Sequence, residues 1–137
     1  MRIAVVDGQG GGIGARIIEA IRHALPEGTE LLALGTNATA TVQMLRAGAN
    51  EGASGENAIV QNVGRVDVVL GTVSILVANS FLGELTPRAA EAISSCRARK
   101  LLLPLTLLPV RVVGSPREPL PHLVDLLIQE LLEPDGG

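Results

Sequence analysis

The stretch Ile3-Ala4-Val5-Val6-Asp7-Gly8-Gln9-Gly10-Gly11-Gly12-Ile13-Gly14 decides how the rest of the chain is read. Its first four residues form a continuous apolar run that stops at Asp7-Gly8, the pattern of a strand buried on both faces of a parallel sheet. After the glycines, Ile13, Ile17, Ile18, Ile21 and Leu25 recur at helical spacing until Pro26 and Gly28 end the pattern. Strand, glycine turn and helix in immediate succession predict an α/β domain with the turn at one edge of its sheet.

Outward from this unit, residues 31–34 read as a second strand ending in Gly35-Thr36-Asn37, and 66–70 as a third ending in Gly71-Thr72. Residues 101–105 read as a fourth strand and 110–113 as a fifth. Helical stretches are predicted at 38–47, 56–63, 74–82, 87–97 and 120–132. Thr86-Pro87 is a good helix start, because the hydroxyl caps free N–H groups and proline fits the first helical position. The alternation predicts a doubly wound, mostly parallel sheet of about five strands. The link 106–109 is too short for a parallel crossover, so the fifth strand is expected to be antiparallel. Two helices between successive strands would return the chain to the wrong edge. The expected solution lays one helix of each pair across the strands' C-terminal edge, carrying the loops 48–55 and 83–86 toward the glycine turn.

A chain of 137 residues can bury a hydrophobic core as one domain, here expected at 1–132 with a frayed tail at 133–137. The formal net charge of −3 is scattered along the chain and leaves no basic face for a phosphodiester backbone, so no nucleic-acid partner is expected. Cys96 has no partner cysteine, and His23 and His122 form no zinc pattern, so neither a disulfide nor a metal is expected. The first strand is read from Arg2, so no leader is expected before it. The uncharged stretch 68–83 is interrupted by Gly71, Thr72, Ser74, Asn79 and Ser80. These features predict a cytoplasmic protein without a membrane span. Phe81 is the one aromatic residue, so a ring ligand is expected to rest on aliphatic and backbone contacts rather than on stacking platforms.

The glycine turn joins a strand to a helix, the setting in which such turns hold phosphates. Gly10-x-Gly12-x-x-Ala15 satisfies the dinucleotide pattern, while Gly8-x-x-x-Gly12-Ile13-Gly14 resembles the short-chain dehydrogenase fingerprint, with Asp7 where that family usually has threonine. Glycine lets the backbone approach a ligand closely, and the helix start presents unpaired N–H groups and a positive dipole end. The competing explanation is a tight turn that only serves helix packing. Asp7 repels phosphate unless it binds a hydroxyl, a cation or backbone N–H groups, and it also suits a plain turn. A complete short-chain dehydrogenase is excluded, since no acid ends the second strand and no tyrosine is present for catalysis. A Walker A loop is absent too, because no lysine followed by serine or threonine closes the glycine run.

Thr36, Asn37 and Thr72 end strands beside the first and suit either ribose and phosphate binding or helix capping. Glu56 and Glu84 follow glycines in loops and suit either a crevice acid, base or cation ligand, or a solvated helix start. The candidate site is therefore Asp7, Gly8, Gln9, Gly10, Gly11, Gly12, Gly14, Thr36, Asn37, Glu56, Thr72 and Glu84.

Over nearly its whole length the chain resembles a small bacterial group, domain-of-unknown-function family 3842. The resemblance rests on the run from Asp7 to Gly14, on Leu34-Gly35-Thr36-Asn37 with Ala40-Thr41 and Met44, on Ala47-Gly48-Ala49-Asn50 leading into Gly55-Glu56-Asn57-Ala58, and on Leu82-Gly83-Glu84 with Thr86-Pro87. It implies no activity. From the residues themselves, the leading expectation is a Rossmann-like domain that holds an anionic small molecule, such as a nucleotide or phosphorylated metabolite. The alternative is a non-enzymatic assembly or regulatory subunit. A homo-oligomer is expected from the apolar arc of the last helix and from Leu101-Leu102-Leu103-Pro104-Leu105 with Leu107-Leu108.

Overall fold

Alternating side chains of one strand feed two separate cores. Ile3 and Val5 pack in a cluster with Ile17, Ile18 and Ile21 of the first helix and with Leu123, Val124, Leu127 and Leu131 of the last. Ala4 and Val6 point the other way, into a cluster with Ile59, Ile75, Leu85, Ala89 and Ile93. A strand with both faces buried is apolar throughout, and this is why its sequence shows no polar alternation.

In the computed structural model, which describes residues 1–106 and 109–133, the elements in chain order are β1 (Arg2–Asp7), α1 (Gly12–Ala24), β2 (Glu30–Gly35), α2 (Ala38–Arg46), β3 (Glu51–Ser54), α3 (Glu56–Asn62), β4 (Val68–Thr72), α4 (Pro87–Ser95), β5 (Arg99–Leu103) and α5 (Leu120–Leu132). The strands form one sheet in the order β3-β2-β1-β4-β5, and every neighbouring pair is parallel. Helices α1, α2 and α5 cover one face and α3 and α4 the other. This is the doubly wound, Rossmann-like arrangement, with its topological switch between β1 and β4. No helix among the described residues is long and apolar enough to cross a membrane.

Several expectations are corrected. Residues 110–113 form no strand, and the last strand, β5, is parallel. The segment 74–82 is not an α-helix: a short 3-10 turn at Val73–Leu76 gives way to turns. The parity problem between β2 and β4 is solved by an extra strand, β3, within the stretch read as a loop. Residues 48–50 accordingly lie at the N-terminal edge of the sheet, away from the glycine turn, where Asn50 meets the start of β2. Between β4 and β5 the expected second helix is absent and α4 alone crosses the face, while the loop 83–86 does reach the glycine turn, where Glu84 accepts from the Gln9 N–H. The Thr86-Pro87 start is as expected, with the Thr86 hydroxyl accepting from the Ala89 N–H. Of the expected tail at 133–137, residues 134–137 lie outside the described residues, as do Leu107-Leu108.

β3 carries no β-branched or aromatic side chain, so backbone pairing must hold it. Asn50 begins that pairing. Its N–H donates to the Leu31 carbonyl at 2.9 Å, and its Oδ1 accepts from the Leu31 N–H at 2.8 Å and from Arg22 at 2.6 Å. Arg22 also donates to the carbonyls of Gly48 and Thr29, so one guanidinium ties α1 to the loops on both sides of β2. Asn50→Ala leaves the Leu31 N–H and the Arg22 fork short of an acceptor and is predicted to destabilise by about 1–3 kcal/mol in urea unfolding, against less than about 0.5 kcal/mol for the exposed Glu51→Ala. Equal effects of the two changes would remove Asn50 as the anchor of β3.

Candidate functional site

Connections leave β1 and β4 in opposite directions, and a crevice opens at their C-terminal ends. The cleft there has a volume of about 540 Å³. Its walls are the glycine turn from Asp7 to Ile13, Thr72 and Ser74 after β4, Ser80-Phe81-Leu82 from the following loop, and Leu105-Thr106 after β5.

The turn is shaped by one carboxylate. β1 delivers Asp7 buried to its end, where Oδ1 accepts from the Gly8 N–H at 2.8 Å and Oδ2 from the Gly14 N–H at 2.7 Å. Gly14 is the third residue of α1, so Asp7 satisfies one of the four donors that a helix start leaves open. The Gly11 N–H donates to the Gly8 carbonyl at 3.0 Å, with Gln9 and Gly11 both left-handed (φ 50° and 73°). The N–H groups of Gly12 and Ile13 donate to none of the described residues. Both residues line the cleft at the positive end of α1.

The five glycines divide into two groups. A Cβ on Gly8 would lie 2.5 Å from the Phe81 ring, one on Gly11 2.7 Å from the Ala40 backbone, and one on Gly14 2.6 Å from the Met44 sulfur and 3.0 Å from the Asp7 Cβ. Packing alone explains these three. A Cβ on Gly10 or Gly12 would meet nothing within 4 Å. Gly12 sits in the first turn of a helix, where glycine costs up to about 1 kcal/mol relative to alanine. Nothing in the chain's own packing requires it. The residue that brings α1 close to the sheet is Gly14 and not Ala15, so of the two registers the one through Gly8, Gly12 and Gly14 fits.

Thr72 and Ser74 are only 5% and 6% exposed, yet neither side chain hydrogen-bonds a described residue. Thr72 stands at the start of the 3-10 turn without capping it. No buried side-chain oxygen or nitrogen among the described residues lacks a partner, so the two hydroxyls reach solvent through the cleft they line.

The remaining candidates are engaged elsewhere. Asn37 caps α2, its Oδ1 accepting from the Ala40 N–H at 2.8 Å while its Nδ2 donates to the Gln9 carbonyl at 3.0 Å. Glu84 accepts from the Thr36 hydroxyl and from Asn37, both at 3.0 Å, and from the Gln9 N–H at 3.4 Å. Thr36, Asn37 and Glu84 thus form a cluster beside the turn and outside the cleft. Glu56 lies on α3, accepts from the Thr86 hydroxyl and pairs with Arg88 at 3.8 Å. No group of three histidine, cysteine, aspartate or glutamate residues suited to a metal occurs among the described residues.

Sequence reasoning missed Ile13, Ser74, Ser80, Phe81, Leu82, Leu105 and Thr106 as lining residues. Phe81, the aromatic residue left out of the expected site, is among the residues that line the cleft. The signal was present in Asn79, Ser80 and Gly83, turn formers inside a stretch whose apolar spacing looked helical. Asn79, Phe81 and Leu82 all take left-handed conformations there (φ 70°, 59° and 57°).

Burial raises the Asp7 pKa above its ordinary value, and the Gly14 and Gly8 N–H groups offset only part of that rise. A raised folded-state value means that Asp7's contribution to stability is fully present below about pH 4 and is lost as pH rises through the raised value. Asp7→Asn turns an amide NH₂ toward a backbone N–H at a cost of about 1–3 kcal/mol. That cost is predicted to shrink between pH 4 and pH 7 in paired urea titrations, because the wild type loses Asp7's contribution over this range and the variant has none to lose. A cost that grows toward pH 7 would contradict the direction of the shift.

Comparison with curated proteins and with solved structures finds no match. The family model described as a domain of unknown function, DUF3842, matches residues 2–135, nearly the whole chain. With the doubly wound sheet and the Asp7-capped glycine turn in place, this match establishes that the chain belongs to the DUF3842 family.

Proposed function

We propose that this domain binds a nucleotide or phosphorylated small molecule in the β1–β4 cleft, in a cytoplasmic setting. The observation that carries the reading is the set of unused donors on one cleft: the N–H groups of Gly12 and Ile13 with the hydroxyls of Thr72 and Ser74. Such donors call for an acceptor-rich ligand, and the α1 dipole favours a negative one. Gly10 and Gly12 support it, since a ligand approaching the backbone gives a reason for glycines that packing does not require. Phe81, Leu82, Leu105 and Ile13 supply an apolar wall for a ring. Asp7 is the one ionisable side chain among the described residues that line the cleft, and no reaction is assigned to it.

A second reading, homo-oligomeric assembly, is favoured by exposed apolar side chains on α5 and on the segment before it. Most of the α5 arc enters the core, but Leu126 and Leu132 remain exposed. Val112 is exposed too, and Val113 is 97% exposed. The outer edge of β5 shares a groove with α5 lined by Leu101, Leu102, Leu103 and Leu126. The two readings are compatible.

Thermal denaturation against nucleoside phosphates and sugar phosphates tests the first. A ligand at about 100-fold its dissociation constant is predicted to raise the Tm by roughly 5–10 °C. In Gly12→Val, whose side chain enters open space, the fold is predicted to persist and the shift to vanish. A wild type that no anionic ligand stabilises, or a Gly12→Val that responds as the wild type does, overturns binding at this turn. Light scattering at micromolar concentration is predicted to return a dimer mass, and a monomer mass there overturns assembly.

A further inference from the structure

We propose that only the β1–β4 half of the crevice admits a ligand, and that Glu84 and Phe81 close the β1–β2 half, so that the domain selects mononucleotide-sized phosphates and rejects dinucleotides. This rests on the reading of the cleft as a phosphate-ligand site and narrows it.

In a sheet of this order a dinucleotide lies across the switch point, with one nucleotide toward β2 and the other toward β4. The β2 side is filled here by the chain itself. The loop that leaves β4 passes over the end of β1 and sets the Phe81 ring against Gly8, so closely that a methyl group there would overlap the ring at 2.5 Å and the Thr36 hydroxyl at 2.8 Å. Glu84 then accepts from the Thr36 hydroxyl at 3.0 Å, the Asn37 amide at 3.0 Å and the Gln9 N–H at 3.4 Å. Asn37 closes the ring of contacts by donating to the Gln9 carbonyl at 3.0 Å. These are the polar groups that a ribose at the end of β2 would have to meet, and they are bonded to one another. The cleft has no lining residue from β2 or α2.

The loop is held by its own hydrogen bonds, Asn79 N–H to the Leu85 carbonyl at 2.7 Å and Leu85 N–H to the Ser80 carbonyl at 3.1 Å. Left-handed Phe81 and Leu82 are conformations that a chain retains only when surrounding contacts over-determine them. What stays open pairs the donors of Gly12, Ile13, Thr72 and Ser74 with an apolar wall at Phe81 and Leu105, a site for one phosphate and one ring.

Calorimetric titration of the wild type with the four nucleoside 5′-monophosphates and with NAD⁺, NADP⁺ and FAD tests this. The best monophosphate is predicted to bind at least about tenfold more tightly than any dinucleotide, a difference of about 1.4 kcal/mol. Glu84→Ala, which removes the acceptor from Thr36, Asn37 and Gln9, is predicted to narrow that ratio and to speed amide hydrogen exchange at Gln9. Glu84→Gln, which keeps one acceptor oxygen, is predicted to restore both. A dinucleotide that binds the wild type as tightly as any monophosphate overturns the closure and leaves the cleft reading intact. Unchanged exchange at Gln9 in Glu84→Ala likewise overturns the closure alone. Failure of every compound to bind overturns the cleft reading, and the closure with it.

Discussion

The Asp7 carboxylate, bonded to the N–H groups of Gly8 and Gly14, is the constraint on which the rest of the site depends. It ends the central strand and caps the first helix with a single buried side chain, and so fixes where α1 begins relative to the sheet. A buried carboxylate is costly unless backbone donors satisfy it; burial pushes the Asp7 pKa up, and the Gly14 and Gly8 N–H groups pull against that rise. That expense is offset by what it organises. With one first-turn donor taken, the N–H groups of Gly12 and Ile13 are left without a partner among the described residues, and both residues line the cleft.

The same geometry reconciles a carboxylate with the anion-binding role proposed for the turn. Asp7 spends its oxygens on the turn's own backbone, so its charge meets fixed dipoles before it meets a ligand. Thr72 and Ser74 stand across the cleft at the end of β4, the strand that neighbours β1 on the side away from β2. Glu84 performs the complementary task on the β2 side, binding the groups that would otherwise be open. One acid shapes the open half of the crevice, and the other ties together the polar groups on the β2 side.

The parts of this architecture legible in sequence are those that packing dictates locally. β1 and α1 declare themselves because a doubly buried strand is apolar throughout and a one-sided helix is periodic. β3 was hidden because Glu51, Gly52, Ala53 and Ser54 bury no large side chain, and the strand exists through its ladder to β2 and through Asn50. The segment after β4 was misread for the opposite reason. Ile75, Leu76, Phe81 and Leu82 have apolar spacing compatible with a helix, but Ile75 is a core residue of a 3-10 turn, and Leu82, at 96% exposure, is not a core residue at all. In the site, the turn and Thr72 were legible from strand ends. The engagement of Glu84 with Thr36 joins residues 48 positions apart and leaves no periodic trace. Gly12 became informative only when its surroundings proved empty, since sequence cannot separate a glycine that packing requires from one that it does not.

Amide chemical shifts of the glycine turn during titration with a nucleoside monophosphate test the central claim most directly. Gly12 and Ile13 are predicted to shift downfield and saturably as their free N–H groups acquire an acceptor, while Gly8 and Gly14, already held by Asp7, move little. A titration that leaves Gly12 and Ile13 unmoved, or that moves Gly8 and Gly14 in their place, would contradict the account.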